Sequence, residues 1–215
     1  MQKLFLFVLL LVALMSAACS PAAQPSGDVK DPVVTLKQVI VQNYYAPPWA
    51  GWPGAVPTPT APPAPTPAAQ FVPFPGGISV PLVLAFVFEV NNPNDQTVTL
   101  DRLQFDMAFE AAPMKPGEFF NLQHPIADDR QAIPGKTTNQ IRVVTAIDSS
   151  VVPGNLAVTS GQRLNALGLS GAALVQNWWT NIPDMKFGIK VAGGVADFSS
   201  GAAKKVVTFE GKWPR

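Results

Sequence analysis

Residues 78–90 read Ile78-Ser79-Val80-Pro81-Leu82-Val83-Leu84-Ala85-Phe86-Val87-Phe88-Glu89-Val90. Every even position is apolar: Ile78, Val80, Leu82, Leu84, Phe86, Phe88 and Val90. The odd positions mix Ser79, Pro81, Val83, Ala85, Val87 and Glu89. Side chains alternate across a β-strand, so this period of two describes a strand with one wholly apolar face. Pro81 has no amide to donate, which places the start of the strand at an edge or a bulge. Asn91-Asn92-Pro93-Asn94-Asp95 then reads as a turn, because Asn and Asp bond their own backbone and Pro presets φ.

Downstream, Thr97 to Glu110 is a second strand whose phase slips. Val98 and Leu100 are even, whereas Leu103, Phe105, Met107 and Phe109 are odd. One extra residue near Asp101-Arg102 keeps both sets on the core face, the mark of a β-bulge. Phe119 to Leu122 and Gln140 to Ile147 read as further strands, separated by a polar turn around Asp128-Asp129-Arg130 and Pro134-Gly135. From Ser160 the period changes. Leu164, Leu167, Gly171, Leu174, Val175 and Trp178 recur at offsets of three, four and seven, which predicts a helix. Ser160 is its expected N-cap and Pro183 its stop, with a break or close packing at Gly168 and Gly171. Two closing strands are expected, Lys186 to Ala192 and Lys204 to Trp213. Gly193-Gly194 and Ser199-Ser200-Gly201 are read as turns.

Upstream, Asp31-Pro32 opens a Val- and Ile-rich strand from Val33 to Asn43. There is then no charged residue between Lys37 and Glu89. Pro47 to Pro75 holds 11 of the 23 prolines. Proline lacks a donor and fixes φ, so this stretch favours polyproline II. It reads as a stiff spacer, a docking sequence, or a stalk glycosylated at Thr58, Thr60 and Thr66. Phe71, Val72 and Phe74 are the residues expected to pack. The predicted organisation is a signal peptide over 1–18, a tether over 19–30, and one β-sandwich domain over 31–215 with a proline-rich insertion at about 46–76. The fold class is mainly β, an antiparallel sandwich with one late helix.

The first residues carry an address. Gln2-Lys3 precedes an unbroken apolar run from Leu4 to Met15, then Ser16-Ala17-Ala18-Cys19. The run is too short for a membrane span, which needs about 20 residues. It resembles the export signal of bacterial lipoproteins, with Ser16 departing from the Leu usual at that position. The resemblance implies cleavage before Cys19, acylation of that residue, and anchoring on the extracytoplasmic side of a membrane. Ser20 is not the Asp that often retains lipoproteins in the inner membrane. Which membrane is used stays open.

A second resemblance lies in Phe88-Glu89-Val90-Asn91-Asn92-Pro93-Asn94, followed by Val98, Leu100, Leu103 and Phe105. This is similar to the central stretch of the WHy domain, shared by a group of late embryogenesis abundant proteins and some prokaryotic proteins. Pro32 to Val41 resembles that family's opening strand. Ile133-Pro134-Gly135-Lys136-Thr137-Thr138 resembles its later proline-turn-strand step. The proline-rich insertion and the loop Glu110 to Gly117 depart from the family pattern. The resemblance implies a fibronectin-like sandwich and a non-enzymatic role in stress or desiccation protection or in protein binding. An alternative is an accessory subunit of an envelope complex, with the insertion reaching to a partner.

Composition narrows the chemistry. Charged residues are 13% of the chain, about half the usual share. Lys and Arg total 15 against 14 Asp and Glu, which lacks the basic excess of a nucleic-acid binder. With one Cys and one His, neither a disulfide framework nor a His-rich metal site is expected. His124 reads as a loop residue without a visible partner. Asp128, Asp129, Asp148, Asp184 and Asp197 lack the spacing of a calcium loop. No catalytic residue, metal or cofactor is assigned. The expected interaction surface is aromatic: Tyr44, Tyr45, Trp49 and Trp52, with Trp178-Trp179 near the helix end. Adjacent tryptophans on one helix are expected to leave one of them near the surface.

Overall fold

Two antiparallel sheets pack face to face in the computed structural model, which describes residues 29–44 and 81–214. The alternating stretch is β2 (Pro81–Asn91), the centre of a three-stranded sheet between β1 (Val33–Tyr44) and β7 (Thr138–Asp148). Its even residues Leu82, Leu84, Phe86, Phe88 and Val90 are fully buried. They meet the second sheet through aromatic rings: Phe105 lies 5.0 Å from Phe86 and 5.3 Å from Phe88, centroid to centroid. Burying one such ring contributes about 2–3 kcal/mol, so this row anchors the core. Pro81 is the first residue of β2 and pairs with Asp148, while the β1 register begins one residue later at Leu82. Ile78 to Val80, read as the start of this strand, lie outside the described residues.

The second sheet is built on β3 (Val98–Glu110). One edge of β3 pairs in turn with β6 (Gln131–Ile133), β5 (Ile126–Ala127) and β4 (Phe119–Gln123). The stretch read as a polar turn around Asp128 thus also holds two short strands. The other edge pairs with β8 (Ile189–Ser200), which pairs with β9 (Ala203–Trp213). The predicted bulge is present. Leu100 opposes Phe198 and Arg102 opposes Asp197, which leaves Asp101 as the extra residue. Val98, Leu100, Leu103, Phe105, Met107 and Phe109 all reach the core on the two sides of that slip.

Three readings differ from the structure. Ser160 is not a helix start: α1 (Val152–Leu167) begins straight after β7, with Val151 as its cap position and a proline in its first turn. Proline's fixed φ suits that position. The helical stretch is two helices, because Gly168 adopts φ 68° and closes α1 before α2 (Gly171–Asn181) starts. The true N-cap is Ser170, whose side chain accepts from the Ala173 amide at 3.1 Å. Gly193-Gly194 is not a turn. β8 runs through it as a bulge, with the β9 register jumping between Val191 and Gly194.

All strands share two ends. At one, the chain enters β1, β2 turns into β3, and β6 turns into β7. The Asn92 amide is buried there and donates to the carbonyls of Gln96, Ile133 and Pro134 at 2.9–3.1 Å. Its Oδ1 accepts from both the backbone and side-chain nitrogens of Asn94. Asn94 in turn pairs with both backbone groups of Lys30, accepting at 2.7 Å and donating at 2.9 Å. A Cβ on Gly135 would run into the Asp95 carbonyl, so only glycine lets the two turns touch. Val29, the first described residue, is buried as well. The other end is closed by α1 and α2. The signal stretch, the tether up to Asp28 and the whole proline-rich insertion, with Phe71, Val72 and Phe74, lie outside the described residues.

Candidate interaction surface

The aromatic surface expected from sequence divides in two. Cys19, Tyr45, Trp49 and Trp52 lie outside the described residues. Tyr44, Trp178 and Trp179 are brought together, with Tyr44 half-buried against the core. Both tryptophans are fully buried, which corrects the expectation that one faces solvent. Adjacent helix residues diverge by about 100°. Two neighbours can be buried only where the helix is covered over a wide arc, and α2 is covered so at the open end of the sandwich. Trp178 meets Phe109 edge-on at 5.5 Å, and its Nε1 donates to the Glu110 carbonyl at 2.6 Å. The Tyr44 hydroxyl, at the end of β1, donates to the Trp179 carbonyl at 2.7 Å. Burial pushes the Tyr44 pKa above its ordinary value, because the phenolate would be poorly solvated. The two indoles therefore serve the core.

The bulge in β3 builds a different surface. It lets Leu100 and Leu103 both point inward, so Asp101 and Arg102 sit side by side on the outer face of the six-stranded sheet. The loop between β5 and β6 answers each with an opposite charge. Arg130 Nε donates to Asp101 Oδ1 at 2.8 Å, and Arg102 Nε donates to Asp128 Oδ1 at 2.8 Å. With Asp197, Ser199 and Lys204 they line an open groove of about 640 Å³. The Asp101 carboxyl is held below the usual carboxylate range, first by the Ser199 hydroxyl and then by the Arg130 charge. Arg102 is pushed up by its hydrogen bond to Asp128. Both Arg130 and Asp128 are about two-thirds exposed, so solvent screens both pairs and neither holds the fold firmly. Such pairs can be exchanged for a partner's charges at little cost. The phase slip that creates this groove was legible in the sequence; the loop that faces it was not.

The remaining sequence candidates are dispersed. Asp148 accepts from the Ser150 amide and hydroxyl, and Asp184 pairs with Lys186 at 2.6 Å. Among the described residues, no three His, Cys, Asp or Glu side chains are grouped to hold a metal ion. His124 does have a partner, which sequence could not reveal: its Nδ1 lies 2.7 Å from Asp106 Oδ1, in an exposed pair on the outer face of β3.

No family model and no curated protein matches the chain. Among solved structures, the chain is similar to a crystallised protein from Archaeoglobus fulgidus, with 7% identity and a TM-score of 0.35 over 86% of this chain and 96% of that one. It is also similar to the Northeast Structural Genomics Consortium target SoR45, with 9% identity and a TM-score of 0.36 over 84% of each chain.

Proposed function

We propose that the chain is a lipid-anchored, non-catalytic β-sandwich protein on the extracytoplasmic side of a bacterial membrane, with a WHy-like domain that binds other proteins. The observation that carries this reading is Ser16-Ala17-Ala18-Cys19 after the apolar run Leu4 to Met15, with Cys19 the only cysteine. A diacyl or triacyl anchor at Cys19 holds firmly, since each buried methylene contributes about 0.8 kcal/mol. The ten residues from Cys19 to Val29 reach at most about 35 Å, which keeps the sandwich close to the bilayer. Support for the WHy-like reading comes from the polar corner. The two turn segments that carry the resemblance, Asn91 to Asp95 and Ile133 to Thr137, are bonded to each other there. The proposed binding face is the charged groove at the β3 bulge. The role is protective or chaperoning of envelope proteins under stress.

An accessory subunit of an envelope complex is the second reading, favoured by the long uncharged insertion between Lys37 and Glu89. Fatty-acid labelling tests the anchor: Cys19→Ala should abolish labelling and leave an uncleaved precursor, whereas normal maturation and membrane retention would reject it. Mild detergent extraction separates the two roles. A stoichiometric partner supports the subunit, and a protein recovered alone supports the protective module.

A further inference from the structure

The two sheets present four edges, and three of them are guarded against pairing. β1 is interrupted by two register shifts, carries Lys37, and packs against β9, where Gly211 lies against Leu36. β9 carries Lys204, Lys205 and Lys212 and a register jump. The edge opposite β9 is cut into the short strands β4, β5 and β6. Lysines, bulges and short strands are the devices by which native sheets block edge-to-edge addition. β7 has none of them. It pairs in unbroken register with β2 from Thr138 to Asp148, it contains neither Pro nor Lys, and among the described residues β2 is its only strand partner. Such an edge turns alternate backbone N–H and C=O groups away from the sheet.

We propose that a second copy of this chain pairs with β7, strand to strand and antiparallel, about a two-fold axis at Val144. The strand is complementary to itself in that register. On the outer face Val144 meets its own copy, Arg142 meets Ala146, and Gln140 meets Asp148. On the inner face Ile141 meets Ile147 and Val143 meets Thr145. Arg142, the one cation of the strand, has Val144 and Asp148 as its diagonal neighbours and never faces another Arg142. Val144 is 54% exposed in the single chain, at the end of the apolar row Ile40–Ala85–Val144. Pairing continues that row across the axis and makes one six-stranded sheet of the two three-stranded ones. It also suits the anchor. The two chain entries lie at opposite ends of paired strands, about 36 Å apart. A two-fold along the membrane normal sets both tethers at one height.

Cysteine cross-linking in the full chain in its own membrane tests this. Directly opposed residues in an antiparallel pair have Cα atoms about 4.5–5.5 Å apart, within disulfide reach. Val144→Cys should give a disulfide dimer of twice the chain mass, and Thr35→Cys, exposed on the distant β1, should not. Equal cross-linking of the two variants, or a Val144→Cys adduct with a different protein, would overturn the proposal. Val144→Lys sets two ammonium groups opposite each other. It should weaken association on the order of tenfold by sedimentation without lowering the melting temperature, since like charges directly opposite repel. An undiminished dimer in that variant would equally exclude β7 as the interface.

Discussion

The two ends of the sandwich are closed by opposite means. At one, two buried amides, Asn92 and Asn94, satisfy backbone groups from two turns and from the segment that enters β1. At the other, two buried indoles on α2 fill the gap between the sheets. The polar closure is directional: every donor must find its acceptor, and one wrong atom leaves a buried group unpaired. The apolar closure is non-directional and scales with area, so its energy is larger but its specificity lower. Partners at the polar corner lie two and four positions apart within the turn but also 41, 42 and 64 positions apart at Ile133, Pro134 and Lys30, and at the other end Trp178 reaches Glu110 across 68 positions and Tyr44 reaches Trp179 across 135. Both ends are therefore assembled from distant segments, and only the polar one also contains a short local motif, the turn from Asn91 to Asp95.

The largest effect is expected at the apolar end. Trp178→Ala removes a fully buried indole and should cost about 3–5 kcal/mol, measured by urea unfolding. A cost below 1 kcal/mol would mean that α2 does not close the core. Asn92→Asp keeps the shape but turns a donor into an acceptor facing three carbonyl oxygens. It should cost about 3 kcal/mol, and a neutral result would break the claim that the corner is held by direction and not by size. Tyr44→Phe removes one hydroxyl donated to α2 while keeping the ring, and a loss of about 1 kcal/mol is expected. A loss equal to that of Trp178→Ala would show that the apolar end is as directional as the polar one.

The smallest effect belongs to neither end. Asp101 has a lowered pKa in the folded chain, so the folded state favours its ionised form. Its contribution is present above the unfolded value of about 4 and is lost as pH falls through the folded value. Asp101→Asn should cost about 0.5 kcal/mol at neutral pH, because the site is open to solvent. The difference from the parent chain should shrink steadily as the pH is taken from about 5 toward 2. A constant difference across that range would mean that the carboxylate charge does not hold the groove together.

Several features were legible because they are local. The alternation in β2 names its buried face, since consecutive strand residues must point to opposite sides. The phase slip in β3 reports its bulge, because only an extra residue keeps Leu100 and Leu103 on one face. Gly168 and Gly171 were read as a break or a close packing within one helix, and φ 68° at Gly168 makes it the end of the first of two. The misreadings have a common cause. Gly193-Gly194 looks like a turn in isolation, yet β3 and β9 on either side hold it as a bulge within β8. Ser160 is a good cap residue in the wrong place, because the helix is started by its junction with β7.

By itself, the sequence determined which residues of β2 alternate, where β3 slips, and that Asn91 to Asp95 turns the chain. Those properties follow from backbone geometry and from hydrogen bonds over a few residues. The tertiary structure alone decided that Trp178 and Trp179 are both buried, that Asp101 and Arg102 meet Arg130 and Asp128, and that β2 is the one strand beside β7 among the described residues. Each depends on which segment arrives alongside, and pairing between distant segments is set by the total burial of the chain rather than by any one stretch of it.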